Sequence, residues 1–72
     1  MDQEKIGKFI AKLRKKKKLT QKQLANELGI TDRAISKWEN GKSMPDLSLL
    51  KPICDIFDIS IVDITDKHLE YI

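Results

Sequence analysis

Two threonines and two glycines divide the middle of the chain into two short helices, and this spacing limits the fold more than any other feature. Thr20 begins the first helix, because its hydroxyl can accept a backbone N–H and a glutamine three residues later completes a capping box. Gly29 ends that helix, since glycine readily adopts the left-handed conformation found at helix ends. Thr31 begins the second helix, residues 32–40, and Gly41 ends it. Two short helices joined by so tight a turn are typical of a helix-turn-helix.

The hydrophobic period predicts helices in the rest of the chain as well. Apolar residues form one stripe at helical spacing, with lysines opposite, which predicts an amphipathic helix over Gln3–Lys16. A second stripe surrounds Pro52, which lacks an N–H and clashes with the preceding turn, so we expect a regular helix from near Leu49 or a tight first turn before it. A serine and an aspartate at capping spacing predict a short fifth helix over residues 60–64. No segment alternates convincingly as a strand does, and the fold class is therefore all-α.

The helix predicted over residues 32–40 has an apolar side and a continuous polar side. Ala34, Ile35 and Trp38 fall together on one side, where core packing is the favoured role. The opposite side carries polar side chains only, namely Asp32, Arg33, Ser36, Lys37 and Asn40. Such a helix suits the major groove of DNA, because base edges are read there through hydrogen bonds.

Charge is distributed unevenly along the chain. Residues 1–42 carry twelve Lys or Arg against five acidic residues, whereas residues 43–72 carry two against six. A basic half indicates a polyanionic partner, with nucleic acid the first candidate, although a solvated basic face would give the same pattern. The lysine run 15–18 has the same two interpretations: it keeps a helix end soluble, or it contacts the phosphate backbone.

Several classes of protein are excluded by what this short chain lacks. Cys54 and His68 are its single cysteine and histidine, which leaves no disulfide framework and none of the usual metal or nucleophile constellations. Its 72 residues offer little room for a substrate cleft and contain no glycine-rich phosphate loop. We therefore expect no enzyme, no cofactor, no metal and no small-molecule ligand. No apolar run is long enough to span a membrane, and we expect a cytoplasmic, nucleoid-associated protein.

The runs over residues 19–25, 29–31 and 35–41 together resemble the Xre/Cro/repressor-type (lambda repressor-like) helix-turn-helix family. The resemblance extends from about residue 6 to residue 64. It implies a compact five-helix domain that binds a double-stranded DNA operator, commonly as a homodimer on a palindromic site. The chain departs from the family at Asp58, where glycine is common and where aspartate adopts the left-handed conformation less easily.

The resemblance also implies a role for individual residues. Base reading is expected from Arg33, Lys37, Asp32 and, on the same polar face, Ser36. For Asp32, the alternative is that it only caps the helix. Arg33 is the strongest candidate, because a guanidinium can bind two acceptors of guanine at once. Contacts to the DNA backbone are expected from Gln21, Thr31, Asn40, Lys42 and Arg14. Arg14 and Glu39 also match a structural ion pair, and the dimer interface is expected at Ile59, Ile61, Val62 and Ile64.

The predicted function is that of a sequence-specific transcriptional regulator, and more specifically a repressor. The helix over residues 32–40 would enter the major groove of its operator. A different interpretation is a protein-interaction module of the same fold, such as an antitoxin-type or adaptor domain. We predict one domain over residues 1–65, with residues 66–72 as a C-terminal tail or the start of a further segment.

Overall fold

The computed structural model describes residues 2–60, and these form four helices without any strand. In chain order, the helices are α1 (Gln3–Lys16), α2 (Gln21–Leu28), α3 (Asp32–Glu39) and α4 (Leu47–Phe57). The predicted all-α class is thus confirmed. The helix predicted after Ser60, the proposed end of the domain at residue 65 and the tail 66–72 lie outside the described residues.

The helix boundaries follow from caps that the sequence predicts. The Thr20 hydroxyl accepts a hydrogen bond from the Gln23 backbone N–H at 3.0 Å, and the Gln23 side chain accepts one from the Thr20 N–H at 2.8 Å. This reciprocal pair is the predicted capping box. Gly29 ends α2 in the left-handed conformation with φ of 71°, and the Thr31 hydroxyl accepts from the Ala34 N–H to begin α3.

The fourth helix begins at Leu47, earlier than the regular helix expected near Leu49, and its first turn is tight. Asp46 is its N-cap, and the Leu49 N–H bonds back to the Asp46 carbonyl at 2.9 Å, a spacing of three residues rather than four. Of the two alternatives, the tight first turn is correct. Asp58 ends the helix with φ of 57°, so aspartate does occupy the left-handed position where glycine is common in the family.

Ten buried side chains from all four helices form one core. Ile35 and Trp38 of α3 lie within it, and Trp38 is only 4% exposed, in agreement with a packing role. Cys54 is buried in the same core. α3 packs against both α1 and α2, so its apolar side is covered and its polar side faces outward.

An ion pair between Arg14 and Glu39 joins the end of α1 to the end of α3. Its geometry is bidentate: Arg14 Nε donates to Glu39 Oε2 at 2.7 Å, and Arg14 Nη2 donates to Oε1 at 3.0 Å. Arg14 Nη1 also donates to the Leu19 carbonyl at 2.8 Å, before α2 begins. The side chains are 12% and 8% exposed, and the hydrogen bond to Glu39 raises the pKa of Arg14 above its ordinary value.

A glycine lets α1 approach the backbone at the end of α3. A Cβ atom on Gly7 would lie 1.8 Å from the carbonyl oxygen of Trp38, far inside contact distance. That oxygen also accepts the N–H of Gly41 at 3.0 Å, within the turn that ends α3. Because the obstacle is backbone rather than a flexible side chain, only glycine fits at position 7 unless the two helices move apart.

We expect Gly7→Ala to destabilise the fold, although alanine is the better helix former. The methyl group has to displace α1 from α3, and overpacking of this kind costs about 1–3 kcal/mol in the free energy of unfolding. Urea denaturation followed by circular dichroism measures the change. Lys5→Ala is the control, since Lys5 is exposed on the same helix. Equal stability of the two variants would show that the close approach is not rigid.

We expect Glu39→Gln to lower the free energy of unfolding by about 2–3 kcal/mol, because it leaves the Arg14 charge largely buried without its counter-charge. Thermal and urea unfolding measure the loss. Asp55→Asn is a matched control, since it breaks the exposed Lys51–Asp55 pair, whose side chains are 75% and 63% exposed. Pairs so exposed contribute little. The structural role of the buried pair is refuted if both variants unfold at the same temperature and the same urea concentration.

Candidate nucleic-acid interface

The outer face of α3 presents most of the predicted base-reading side chains to solvent. Asp32, Arg33 and Lys37 are exposed. None of the three has a side-chain hydrogen bond or ion pair to the residues that the structure describes. The inner face is fixed by Ile35 and Trp38 in the core. The helix therefore presents three charged side chains to solvent, while its opposite face packs against the core.

Ser36 and Asn40 differ from these three, because they bond to each other. Asn40 Nδ2 donates to the Ser36 carbonyl at 2.8 Å and to the Ser36 hydroxyl at 3.2 Å. Ser36 is half-buried, and Asn40 is the C-cap of α3 rather than part of its last turn. The two polar groups thus help to end the helix. Any contact that they make with DNA would have to share these hydrogen bonds.

The residues predicted to contact the DNA backbone lie around the two ends of this helix pair. Thr31 and Lys42 are exposed, one before α3 and the other just after it, where the Lys42 N–H bonds to the Lys37 carbonyl at 2.8 Å. Gln21 is the first residue of α2, where backbone N–H groups and the helix dipole favour an anion. Arg14 is turned inward, and three of its nitrogens are occupied by Glu39 and Leu19.

One contact at this site has no signal in the sequence. Gln21 Nε2 donates to Glu39 Oε1 at 3.0 Å, so the Arg14–Glu39 pair also holds the first side chain of α2. The two residues are far apart in the chain, and neither helical period nor cap spacing connects them. The contact fixes Gln21 at the edge of an open groove of about 510 Å³, which Asn40 also lines.

Of the four residues predicted to form a dimer interface, one lies within the described part of the chain. Ile59, expected in a dimer interface, is half-buried and packs against the core, whereas Ile61, Val62 and Ile64 lie outside the described residues. Leu47 is 76% exposed at the start of α4, and no pattern in the sequence predicts this exposure. Within residues 2–60, no group of acidic, histidine or cysteine side chains is placed to hold a metal ion. No helix over that range combines the length and apolar character that crossing a membrane requires.

The sequence of this chain is similar to those of two bacterial proteins. The chain is 44% identical over 66 residues to the antitoxin PezA of Streptococcus pneumoniae, a match that covers 89% of this chain and 42% of PezA. It is 46% identical over 52 residues to the HTH-type transcriptional activator BcrR of Enterococcus faecalis, covering 72% of this chain and 26% of BcrR. The chain therefore spans less than half the length of either relative.

The fold of this chain also matches that of a solved structure. The restriction-modification controller protein C.AhdI of Aeromonas hydrophila matches with a TM-score of 0.79 at 25% identity, over 88% of this chain and 91% of that one. Residues 10–64 match the model of the helix-turn-helix family, and this range contains α2, the turn at Gly29 and α3. With most of its length matched in this way, the chain belongs to the helix-turn-helix family.

Proposed function

We propose that this chain is a sequence-specific DNA-binding transcriptional regulator that inserts α3 into the major groove of an operator. The outer face of α3 carries the proposal: three exposed charged side chains stand on a helix that is buried from behind and fixed at its end by the Arg14–Glu39 pair. Rigid placement matters because a side chain reads a base only when its donors and acceptors meet the base edge in register.

Roles within this interface follow from position and chemistry. Arg33 and Lys37 read guanine or thymine acceptors, Asp32 accepts from a cytosine amine, and Ser36 adds a hydroxyl beside them. Contacts to phosphates position the helix and come from Gln21, Thr31, Asn40, Lys42 and any free donor of Arg14. The proposed base-reading residues lie on α3, and the residues proposed to contact phosphates surround it. Recognition in the major groove needs both sets in this arrangement.

We further propose that the protein is a cytoplasmic, nucleoid-associated repressor that binds as a homodimer to a palindromic operator. A short helix reads only a few base pairs, so a second copy lengthens the site. Ile59 and the isoleucines and valine that follow it are the proposed dimer face, with Ile59 contributing the part of its side chain that the core leaves exposed. Occupancy of an operator is enough to block transcription, whereas activation needs a further contact.

The similarity to PezA supports a second candidate, an antitoxin-type module that binds a protein. A salt titration separates the two functions. A regulator should bind its operator about 10³-fold more tightly than random DNA, with an affinity that falls steeply as salt rises. A protein that binds every duplex alike, or none, would favour the interaction module.

Selection of bound duplexes from a random library, followed by sequencing, tests the proposed function directly. We expect an enriched palindrome with half-sites about one helical turn, ~10 bp, apart. A single unrepeated site would contradict the dimer, and a library without any enriched sequence would contradict the function. A reporter gene placed behind the enriched site then shows whether its expression falls or rises.

Substitutions at Arg33 and Lys42 should have different effects. Arg33→Ala should lose about 1–3 kcal/mol of discrimination at one base pair, because the lost donors contact a base edge. Lys42→Ala should weaken binding to all sequences equally and reduce the salt slope by about 1, because the lost charge contacts a phosphate. Fluorescence anisotropy with the operator, its single-pair variants and random DNA measures both. An equal loss of operator and random binding in Arg33→Ala would refute base reading.

A further inference from the structure

A groove runs along α1 beside the helix pair, and one wall of it is basic. Its main part, about 510 Å³, lies between α1 and the ends of α2 and α3. A smaller part of about 220 Å³ continues it past Glu4 and Gly41. The α1 wall consists of Lys8, Ala11, Lys12 and Lys15, and the facing wall consists of Gln21, Glu39 and Asn40. We call this surface the α1 groove.

The α1 groove is more positive than a simple count of its charged side chains suggests. Lys8, Lys12 and Lys15 are exposed, and none of them forms an ion pair with a residue that the structure describes. The Glu39 carboxylate is 8% exposed and already compensated by the bidentate Arg14 guanidinium and by Gln21. Among the lining residues that the structure describes, Glu4 at the far end is the one other acidic side chain. The part of the groove lined by the three lysines therefore attracts an anion.

The spacing of these lysines suits a linear polyanion. Lys8 to Lys15 covers two turns of α1, ~10 Å along the helix axis. Each of the three lysines can neutralise one phosphate, so the row can contact up to three phosphates of one strand. The facing wall offers Gln21 and Asn40, both proposed above as contacts to the DNA backbone. The same strand can pass from one wall to the other without leaving the groove.

We propose that the α1 groove holds phosphates of one DNA strand beside the bases that α3 reads. Lys8, Lys12 and Lys15 thereby extend the contact surface beyond the helix-turn-helix. This inference rests on the proposed function and adds a contact site to it. It also separates the members of the lysine run: Lys15 lines the groove, whereas Lys16 and Lys17 do not.

The test compares two variants from which the same charge has been removed. One is Lys8→Gln/Lys12→Gln/Lys15→Gln, which empties the groove of lysines. The control is Lys16→Gln/Lys17→Gln/Lys51→Gln, whose lysines are exposed and lie outside it. Affinity for the selected operator and for a random duplex of equal length is measured over a range of salt concentrations. Circular dichroism verifies that both variants remain folded.

The groove variant should lower the salt slope by about 0.9 for each lost phosphate contact, so by about 2–3 in all, on both duplexes. The control should change it far less, and the preference for the operator over random DNA should be retained in both. Hydroxyl-radical footprinting should show a shorter protected backbone with the groove variant only. An equal change in both variants would overturn the inference, because a diffuse field rather than the groove would then explain it.

Other results overturn the inference in distinguishable ways. A groove variant with an unchanged slope, while the unaltered chain still selects an operator, removes the groove contact and leaves the proposed function standing. An unaltered chain that binds neither duplex removes both. If the groove variant loses binding to polyglutamate but not to DNA, the α1 groove is assigned to an acidic protein instead.

Discussion

The Arg14–Glu39 ion pair is the interaction that holds α1, the start of α2 and the end of α3 together. It is bidentate and nearly buried, and it joins α1 to the end of α3. Its two remaining contacts, to the Leu19 carbonyl and to Gln21, add the segment that begins α2. A buried pair costs desolvation and is weak evidence for stability by itself. Here it ties α1 to the end of the helix whose outer face is the proposed reading surface.

The local parts of this fold were predictable because their causes are local. Thr20, Gly29 and Thr31 act through hydrogen bonds and backbone angles within a few residues, and each is placed as predicted. Pro52 shows the limit of such reasoning. A local rule identifies the conflict with the preceding turn, but it does not give the start of the helix, which lies at Leu47 after the Asp46 cap.

Contacts between distant segments were predictable only where the resemblance to the family implies a pair, as it does for Arg14 with Glu39. Nothing similar connects Gly7 with the Trp38 carbonyl, because the contact involves backbone on one side and the lack of a side chain on the other. Helical period predicted the exposed face of α3 correctly for its charged residues. It did not predict that Ser36 and Asn40 bond to each other, since both use their polar groups within their own helix.

Charge in this protein serves two purposes that respond differently to salt. Arg14 and Glu39 are held in contact and largely away from solvent, so mobile ions screen their attraction little. The lysines of the α1 groove and the charged side chains of α3 are exposed, so salt screens them strongly. Raising the salt concentration would therefore weaken the proposed attraction to DNA while α3 keeps its orientation. Docking can then be reversible without unfolding, because the interaction that shapes the surface is separate from the charges that attract the partner.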